Sequence, residues 1–131
     1  MDLEPAYPYL IQPIPEISPV EVIKYQLKAL SNHRVNDLGI AAAYMFASPA
    51  NKMYTGPLSR FIRMLKNPLY ASMLNHVRAE FAEIVIEGNQ AEQRVTLIEA
   101  NQEATIYIFR LSKQQHGSYT GCWMTDSVLK S

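Results

Sequence analysis

The side chains of this chain that could act as nucleophiles or metal ligands are few and widely spaced. Cys122 could form a thiolate nucleophile, but the sequence places no identifiable base beside it, and such a thiol is more often a small buried hydrophobic group. His33 and His116 lie near predicted turns, and His76 lies where a predicted helix gives way to a strand. This spacing indicates structural histidines. The sequence therefore predicts no metal site, no cofactor and no catalytic residue that a motif identifies.

Residues 46–61 interrupt an otherwise helical and apolar stretch with small turn-forming and hydrogen-bonding side chains. Pro49 and the pair Gly56-Pro57 set the path of the backbone, as is typical of a shaped loop. We expect this segment to connect two helices and to close the mouth of a pocket, with polar side chains offered to the interior.

The composition is that of a single soluble globular domain. The chain has 131 residues, of which 48% are hydrophobic and 18% charged, enough for one buried core. Its longest apolar run, residues 38–47, is far shorter than the roughly 20 residues that span a bilayer as a helix. The acidic, proline-broken start is unlike a secretory signal. Because a lone cysteine forms no internal disulfide, we expect a reducing, cytoplasmic compartment.

Charges are segregated along the chain although the net charge is zero. Residues 38–79 contain five basic and no acidic side chains, whereas residues 80–103 contain six acidic side chains and one basic. These blocks are interpreted as solvated faces of a helix and a hairpin, or else as a basic patch for an acidic partner. No excess of positive charge or aromatic–basic repeat is present, so nucleic acid is not an expected partner.

The N-terminal part of the chain predicts an arm followed by three helices. Prolines interleaved with apolar residues favour an extended arm over residues 1–17, packed on its own domain or on a second subunit. The domain is expected at 18–131. The three helices start at Ser18-Pro19, at a cap on Asn36 or Asp37, and at Gly56-Pro57. Apolar spacing extends the first to about residue 34, and the last ends before Pro68, with one more short turn to follow.

From His76 onward, apolar residues recur at every second position, which predicts four strands. The first strand switches parity, so we expect a bulge near Phe81 and Ala82 that bends it. The other strands are predicted at residues 94–100, 105–111 and 118–128, joined by connections of hairpin length. The expected fold is α+β, with three helices on the concave face of a curved, mainly antiparallel four-stranded sheet.

Short blocks of sequence, in a fixed order along residues 18–128, suggest a family. They are Ser18-Pro19, Gln26-Leu27, Gly39-Ile40, Phe46-Ala-Ser-Pro49, Thr55-Gly-Pro-Leu58, Arg60-Phe61, Met64-Leu65 and Gly121-Cys-Trp-Met-Thr-Asp126. Together they resemble an uncharacterised family of cyanobacteria and plants in the nuclear transport factor 2-like superfamily. The resemblance implies a cone-shaped sheet with an internal cavity, pairing of two copies through the sheet, and a cytoplasmic or stromal setting. It implies no established activity.

Polar and aromatic side chains are the candidates to line such a cavity. They are Tyr44, Asn51, Tyr54, Thr55, Arg60, Tyr70, His76, Tyr107, Trp123, Thr125 and Asp126. By analogy with the steroid isomerase branch that the cone would resemble, Asp126 and a nearby tyrosine could perform general acid–base chemistry. One acid and several tyrosines are a weak active-site signal, however, and no second carboxyl is predicted beside Asp126. The tyrosines could equally be packing groups, and Trp123 is most simply a core aromatic.

Two hypotheses follow for the function. The favoured one is a non-enzymatic binding or assembly module, with a pocket for a small apolar ligand or a surface for a protein partner or a second copy. The alternative is a cofactor-independent isomerase, dehydratase or hydrolase that uses the same cavity.

Overall fold

A computed structural model describes residues 11–31 and 37–131 of the chain. Its helices are α1 (Pro19–Ser31), α2 (Leu38–Met45), α3 (Pro49–Thr55), α4 (Leu58–Leu65), a 3₁₀ helix (Pro68–Tyr70) and α5 (Ala71–Asn75). Its strands are β1 (His76–Phe81), β2 (Val85–Glu87), β3 (Gln90–Glu99), β4 (Ala104–Lys113) and β5 (Trp123–Lys130). The predicted α+β class is confirmed. The first ten residues of the arm, the predicted end of the first helix and the cap on Asn36 lie outside the described residues.

Helix α1 begins with the predicted reciprocal cap. The amide of Ser18 donates to Glu21 Oε1 at 2.9 Å, and the amide of Glu21 donates to Ser18 Oγ at 3.2 Å. Asp37 precedes α2 but makes no capping bond. Its carboxylate instead forms an ion pair of 3.3 Å with Lys66 of the turn that follows α4.

The prediction of three helices is wrong, because the described residues form five α-helices and a 3₁₀ helix. Helix α3 lies inside the segment that was expected to be a loop. Ser48 caps it by accepting from the Asn51 amide at 3.2 Å, and Pro49 occupies its first turn. No residue of α3 is buried, so this helix has no apolar stripe that could have indicated it in the sequence. Helix α5 is only five residues long and was expected as a short turn.

The sheet has the order β1-β3-β4-β5, with β2 also paired to β3, and all these pairings are antiparallel. Five strands replace the predicted four because the first one breaks. Phe81 pairs with Val95, and Val85 pairs with Glu92. The three residues 82–84 therefore lie opposite only two residues of β3, residues 93–94. This extra residue confirms the predicted bulge. At this break in the pairing, the buried Gln93 donates from Nε2 to the Ala82 carbonyl at 2.6 Å.

Strand β5 starts later than predicted and carries a bulge of its own. Turns occupy the chain before Trp123, and Gly121 adopts a positive φ of 86° there. Further along, Leu111 pairs with Thr125 and Arg110 pairs with Ser127. One residue of β5, Asp126, therefore has no partner on β4.

The other edge of β5 is covered by the connector between α2 and α3. Thr125 donates its amide to the Phe46 carbonyl, and Ser48 donates its amide to the Thr125 carbonyl, both at 2.8 Å. Ala47 thus forms a parallel bridge to Thr125. This contact fixes the start of α3 against the sheet.

The helices pack on one face of the sheet. Tyr107, Phe109 and Leu111 alternate inward along β4 and are almost fully buried, as are Ile23 of α1 and Phe46. These side chains belong to one continuous apolar cluster, which places a single core between the two layers.

The described part of the arm, residues 11–17, lies against the domain. Pro13 is buried, and the Ile11 carbonyl accepts a hydrogen bond of 3.4 Å from the Tyr25 hydroxyl. In residues 11–31 and 37–131, every helix is too short or too polar to cross a bilayer.

Candidate functional site

A cavity of about 290 Å³ lies between the helices and strands β4 and β5. Its floor is apolar and buried, and includes Leu30 of α1, Phe61 and Leu65 of α4, and Phe109 of β4. Tyr54 of α3 and Leu129 of β5 are 78% and 45% exposed, so these two residues mark its mouth. The remaining lining residues are Gln26, Ala43, Ala47, Asn51, Thr55, Met64, Tyr70, Met73, Thr125, Asp126, Ser127 and Val128.

A hydrogen-bonded chain of polar side chains forms one wall of the cavity. The Thr125 hydroxyl donates to Gln26 Oε1 at 2.6 Å, and Gln26 Nε2 donates to the Ala43 carbonyl at 3.0 Å. Asn51 Nδ2 donates to the Thr125 carbonyl at 3.0 Å, while the Thr55 hydroxyl lies 3.2 Å from Asn51 Oδ1. The oxygen and the nitrogen of both amide side chains thus have protein partners, with one N–H of each amide engaged. These bonds hold the wall together.

Asp126 is the one charged residue among the described residues that line the cavity. It is the bulged residue of β5, and a bulge re-aims a side chain relative to the regular strand. In the part of the chain that the structure describes, its carboxylate makes no hydrogen bond or ion pair. Tyr54, Tyr70 and Ser127 also line the cavity, and their hydroxyls make no hydrogen bond to a described residue.

A second depression, of about 480 Å³, lies on the far side of Asp126. Exposed residues of β2, β3 and β4 form most of its lining, including Glu87, Glu92 and Arg110. Glu92 and Arg110 pair across it at 2.9 Å, so their charges offset one another. We interpret this depression as a surface groove, and the apolar cavity as the candidate site.

The profile of a family described as Domain of unknown function (DUF4864) matches residues 16–129. The chain belongs to this family. The prediction of an uncharacterised family is thereby confirmed at the level of a domain of unknown function. No curated protein and no solved structure gave a significant match. The matched residues include every lining residue of the cavity, which therefore lies within the DUF4864 domain of this chain.

Six of the eleven predicted pocket residues line the cavity of this DUF4864 domain. They are Asn51, Tyr54, Thr55, Tyr70, Thr125 and Asp126. The connector expected at the mouth therefore contributes side chains, although it does so as helix α3.

The other five predicted pocket residues lie elsewhere in the DUF4864 domain. The Tyr44 ring packs on Phe61 at 4.9 Å between centroids, and Arg60 is exposed on α4. The Tyr107 hydroxyl donates to the Leu69 carbonyl at 2.9 Å. The two remaining residues contact the rest of the protein: His76 Nδ1 lies 3.0 Å from the Met73 carbonyl, and the Trp123 ring faces the Lys113 ammonium.

Sequence reasoning missed Gln26 and the apolar floor. Gln26 lies on the inward stripe of α1, between Ile23 and Leu30, and is only 6% exposed. A polar residue at such a position must find hydrogen bonds within the core. That placement was the signal that could have identified Gln26.

Burial favours the neutral form of several described ionisable groups outside the cavity. Burial raises the pKa of the Cys122 thiol, which keeps it protonated, and burial lowers the pKa of His76. Desolvation likewise raises the pKa of the Tyr107 hydroxyl. Among the described residues, no group of three or more His, Cys, Asp or Glu side chains is placed to hold a metal ion.

Proposed function

We propose that this domain is a non-enzymatic binding module whose cavity accepts a small, mainly apolar ligand. The observation that carries the proposal is a cavity of about 290 Å³ with a buried apolar floor and a polar wall whose amides bond within the protein. Small-molecule pockets have volumes from about 300 Å³ upward and combine apolar walls with a few polar groups.

We further propose that the fold is a cone of the nuclear transport factor 2-like kind. The helices lie on one face of the sheet, and extra residues interrupt its pairing at Val77, at residues 82–84 and at Asp126. Such bulges bend strands, which supports a curved sheet around the cavity.

A cavity-filling substitution tests the binding proposal. Val128 lines the cavity, whereas Val85 is 57% exposed and does not. The neutral probe 2-naphthalenemethanol should raise the thermal midpoint of the wild-type protein and of Val85→Phe, because a ligand that binds only the folded state stabilises it. Val128→Phe should show no such rise.

Two results would contradict the proposal. One is the absence of any thermal shift in the wild-type protein at millimolar probe. The other is an equal shift in Val128→Phe, which would place the probe outside the cavity. Circular dichroism of the unliganded Val128→Phe protein controls for loss of structure.

An isomerase, dehydratase or hydrolase is the alternative, and one observation favours it: Asp126 shares the cavity with Tyr54 and Tyr70. Yet neither tyrosine, nor any other described residue, is hydrogen-bonded to the Asp126 carboxylate, whereas a general base needs a positioned partner. Conversion of a β,γ-unsaturated ketone to its conjugated isomer, lost in Asp126→Asn, would support the enzyme.

Assembly is a second aspect of the proposed binding role. Ile106, which is 40% exposed, lies on the outer face of the sheet, with Ile108 beside it. These side chains support pairing of two copies or contact with a protein partner through that face. Light scattering of the wild-type protein and of Ile106→Lys would test this. A cytoplasmic or stromal location stays a prediction of the resemblance.

A further inference from the structure

We propose that Asp126 makes the cavity selective for compact apolar amines and that the cavity rejects apolar carboxylates of the same shape. This inference rests on the proposed binding function and names the class of ligand. Three features of the described residues support it: the size of the cavity, its charge, and the engagement of its polar groups.

The size of the cavity fits two fused rings. An apolar cavity of roughly 150 Å³ accepts a benzene molecule, and the cavity here has about 290 Å³. Its floor of Leu30, Phe61, Leu65 and Phe109 offers the dispersion contacts that a flat aromatic group requires. A naphthalene-sized group therefore fills this space without displacing the wall.

The charge of the lining is negative and uncompensated. Asp126 is its one formal charge among the described residues, and none of the described lining residues is Lys, Arg or His. Two cations that adjoin the lining have other partners. Lys52, next to Asn51 in sequence, has its ammonium 5.1 Å from the Tyr44 ring and 5.8 Å from the Tyr119 ring. Arg110, across the sheet from Ser127, pairs with Glu92 at 2.9 Å.

The polar groups of the wall favour a cation in the same way. A bound carboxylate needs strong donors, but Gln26 Nε2 and Asn51 Nδ2 each already donate one N–H to a backbone carbonyl. The second N–H of each amide and the hydroxyl groups are neutral donors, and Asp126 would repel the anion. An ammonium group would instead form a charge-assisted hydrogen bond with the Asp126 carboxylate, one of the stronger contacts available.

The test compares three naphthalene probes that differ only in their polar group. Binding of 2-naphthylmethylamine, 2-naphthalenemethanol and 2-naphthoate to the full chain is measured by isothermal titration calorimetry at pH 7 and moderate salt. We expect the wild-type protein to bind the amine at least about ten-fold more tightly than the alcohol, which corresponds to roughly 1.4 kcal/mol. The carboxylate should bind more weakly than both.

The substitution Asp126→Asn should reduce the preference for the amine over the alcohol to less than about three-fold. Glu103→Gln is the matched control, because it removes an exposed carboxylate that does not line the cavity. This control should keep the wild-type order.

Failure of the inference and failure of the proposed function give different results. Equal affinities of the wild-type protein for all three probes, or a preference that survives in Asp126→Asn, overturn the selectivity while the binding function stands. Absence of binding of all three probes overturns both. Loss of the preference in Glu103→Gln as well would assign it to the overall surface charge and would also overturn the inference. The comparison of the three probes uses only the wild-type protein, so it tests the inference even if a variant fails to fold.

Discussion

Replacing Thr125 with valine should destabilise this domain by about 1–3 kcal/mol, although the two side chains have nearly the same shape. Thr125 is 1% exposed, and its hydroxyl donates to Gln26 Oε1 at 2.6 Å; Gln26 is itself 6% exposed. In Thr125→Val, Gln26 Oε1 loses its donor and stays buried. An unsatisfied buried acceptor costs about 1–3 kcal/mol, whereas the volume of the core is unchanged.

Urea denaturation followed by circular dichroism and by the fluorescence of the buried Trp123 measures this change. Thr96→Val is the matched control. Thr96 lies half-buried on the outer face of β3, and its hydroxyl has no hydrogen bond with a described residue. This control should change the free energy of unfolding by no more than about 0.5 kcal/mol.

A double substitution separates the lost hydrogen bond from a general packing defect. In Gln26→Leu with Thr125→Val, neither buried polar atom remains, and the Ala43 carbonyl keeps a donor in the Phe46 amide at 3.1 Å. The double variant should therefore be less destabilised than the sum of the single variants by about 0.5–3 kcal/mol. Equal effects of Thr125→Val and Thr96→Val, or strict additivity in the double variant, would refute the reasoning.

Three further predictions concern a close contact and two titrating groups. Gly56→Ala should destabilise the protein by about 1–3 kcal/mol in thermal melts, because the added Cβ would overlap the Tyr44 hydroxyl. Gly88→Ala is the control, because no atom lies within 4 Å of the added Cβ, and it should cost only about 1 kcal/mol of backbone strain. A larger loss in Gly88→Ala would contradict this reasoning. Burial raises the pKa of Tyr25 to about 12, so stability should fall between about pH 10 and pH 12 and should fall less in Tyr25→Phe, as measured by urea midpoints. The Ser18 amide, which opens α1, lowers the pKa of Glu21. The stabilisation from this carboxylate is present above the ordinary carboxyl pKa and is lost as pH falls through the lowered pKa. Glu21→Gln should therefore flatten the decline of stability at acid pH, and an unchanged decline would contradict the assignment.

Local chemistry along the sequence predicted the longer elements. Helix α1 has both a reciprocal cap and an apolar stripe, and the switch in parity near Phe81 revealed the bulge before β2. Helix α3 escaped prediction, and α5 was predicted only as a short turn, because seven and five residues are too few for a periodic pattern. Helix α3 also buries none of its side chains. Its start was nevertheless encoded by Ser48-Pro49, the same pair of residue types that opens α1.

The candidate site was less accessible to prediction, because its residues meet only through tertiary contacts. The bonds from Thr125 to Gln26 and from Asn51 to Thr125 join positions that are 99 and 74 residues apart. Residue type alone suggested the polar members of the lining. The apolar floor resembles any other part of the core until the helices and the sheet are assembled around the space.

The interruptions of the sheet also affect how it meets other chains. An exposed straight edge strand can pair with the edge of another molecule and seed aggregation. Here one edge is divided between β1 and β2 and is further bent at Val77, and part of the opposite edge is bonded to residues 46–48. Residues 46–48, which fix the start of α3 against the sheet, thus also reduce the unpaired backbone from which an intermolecular sheet could grow.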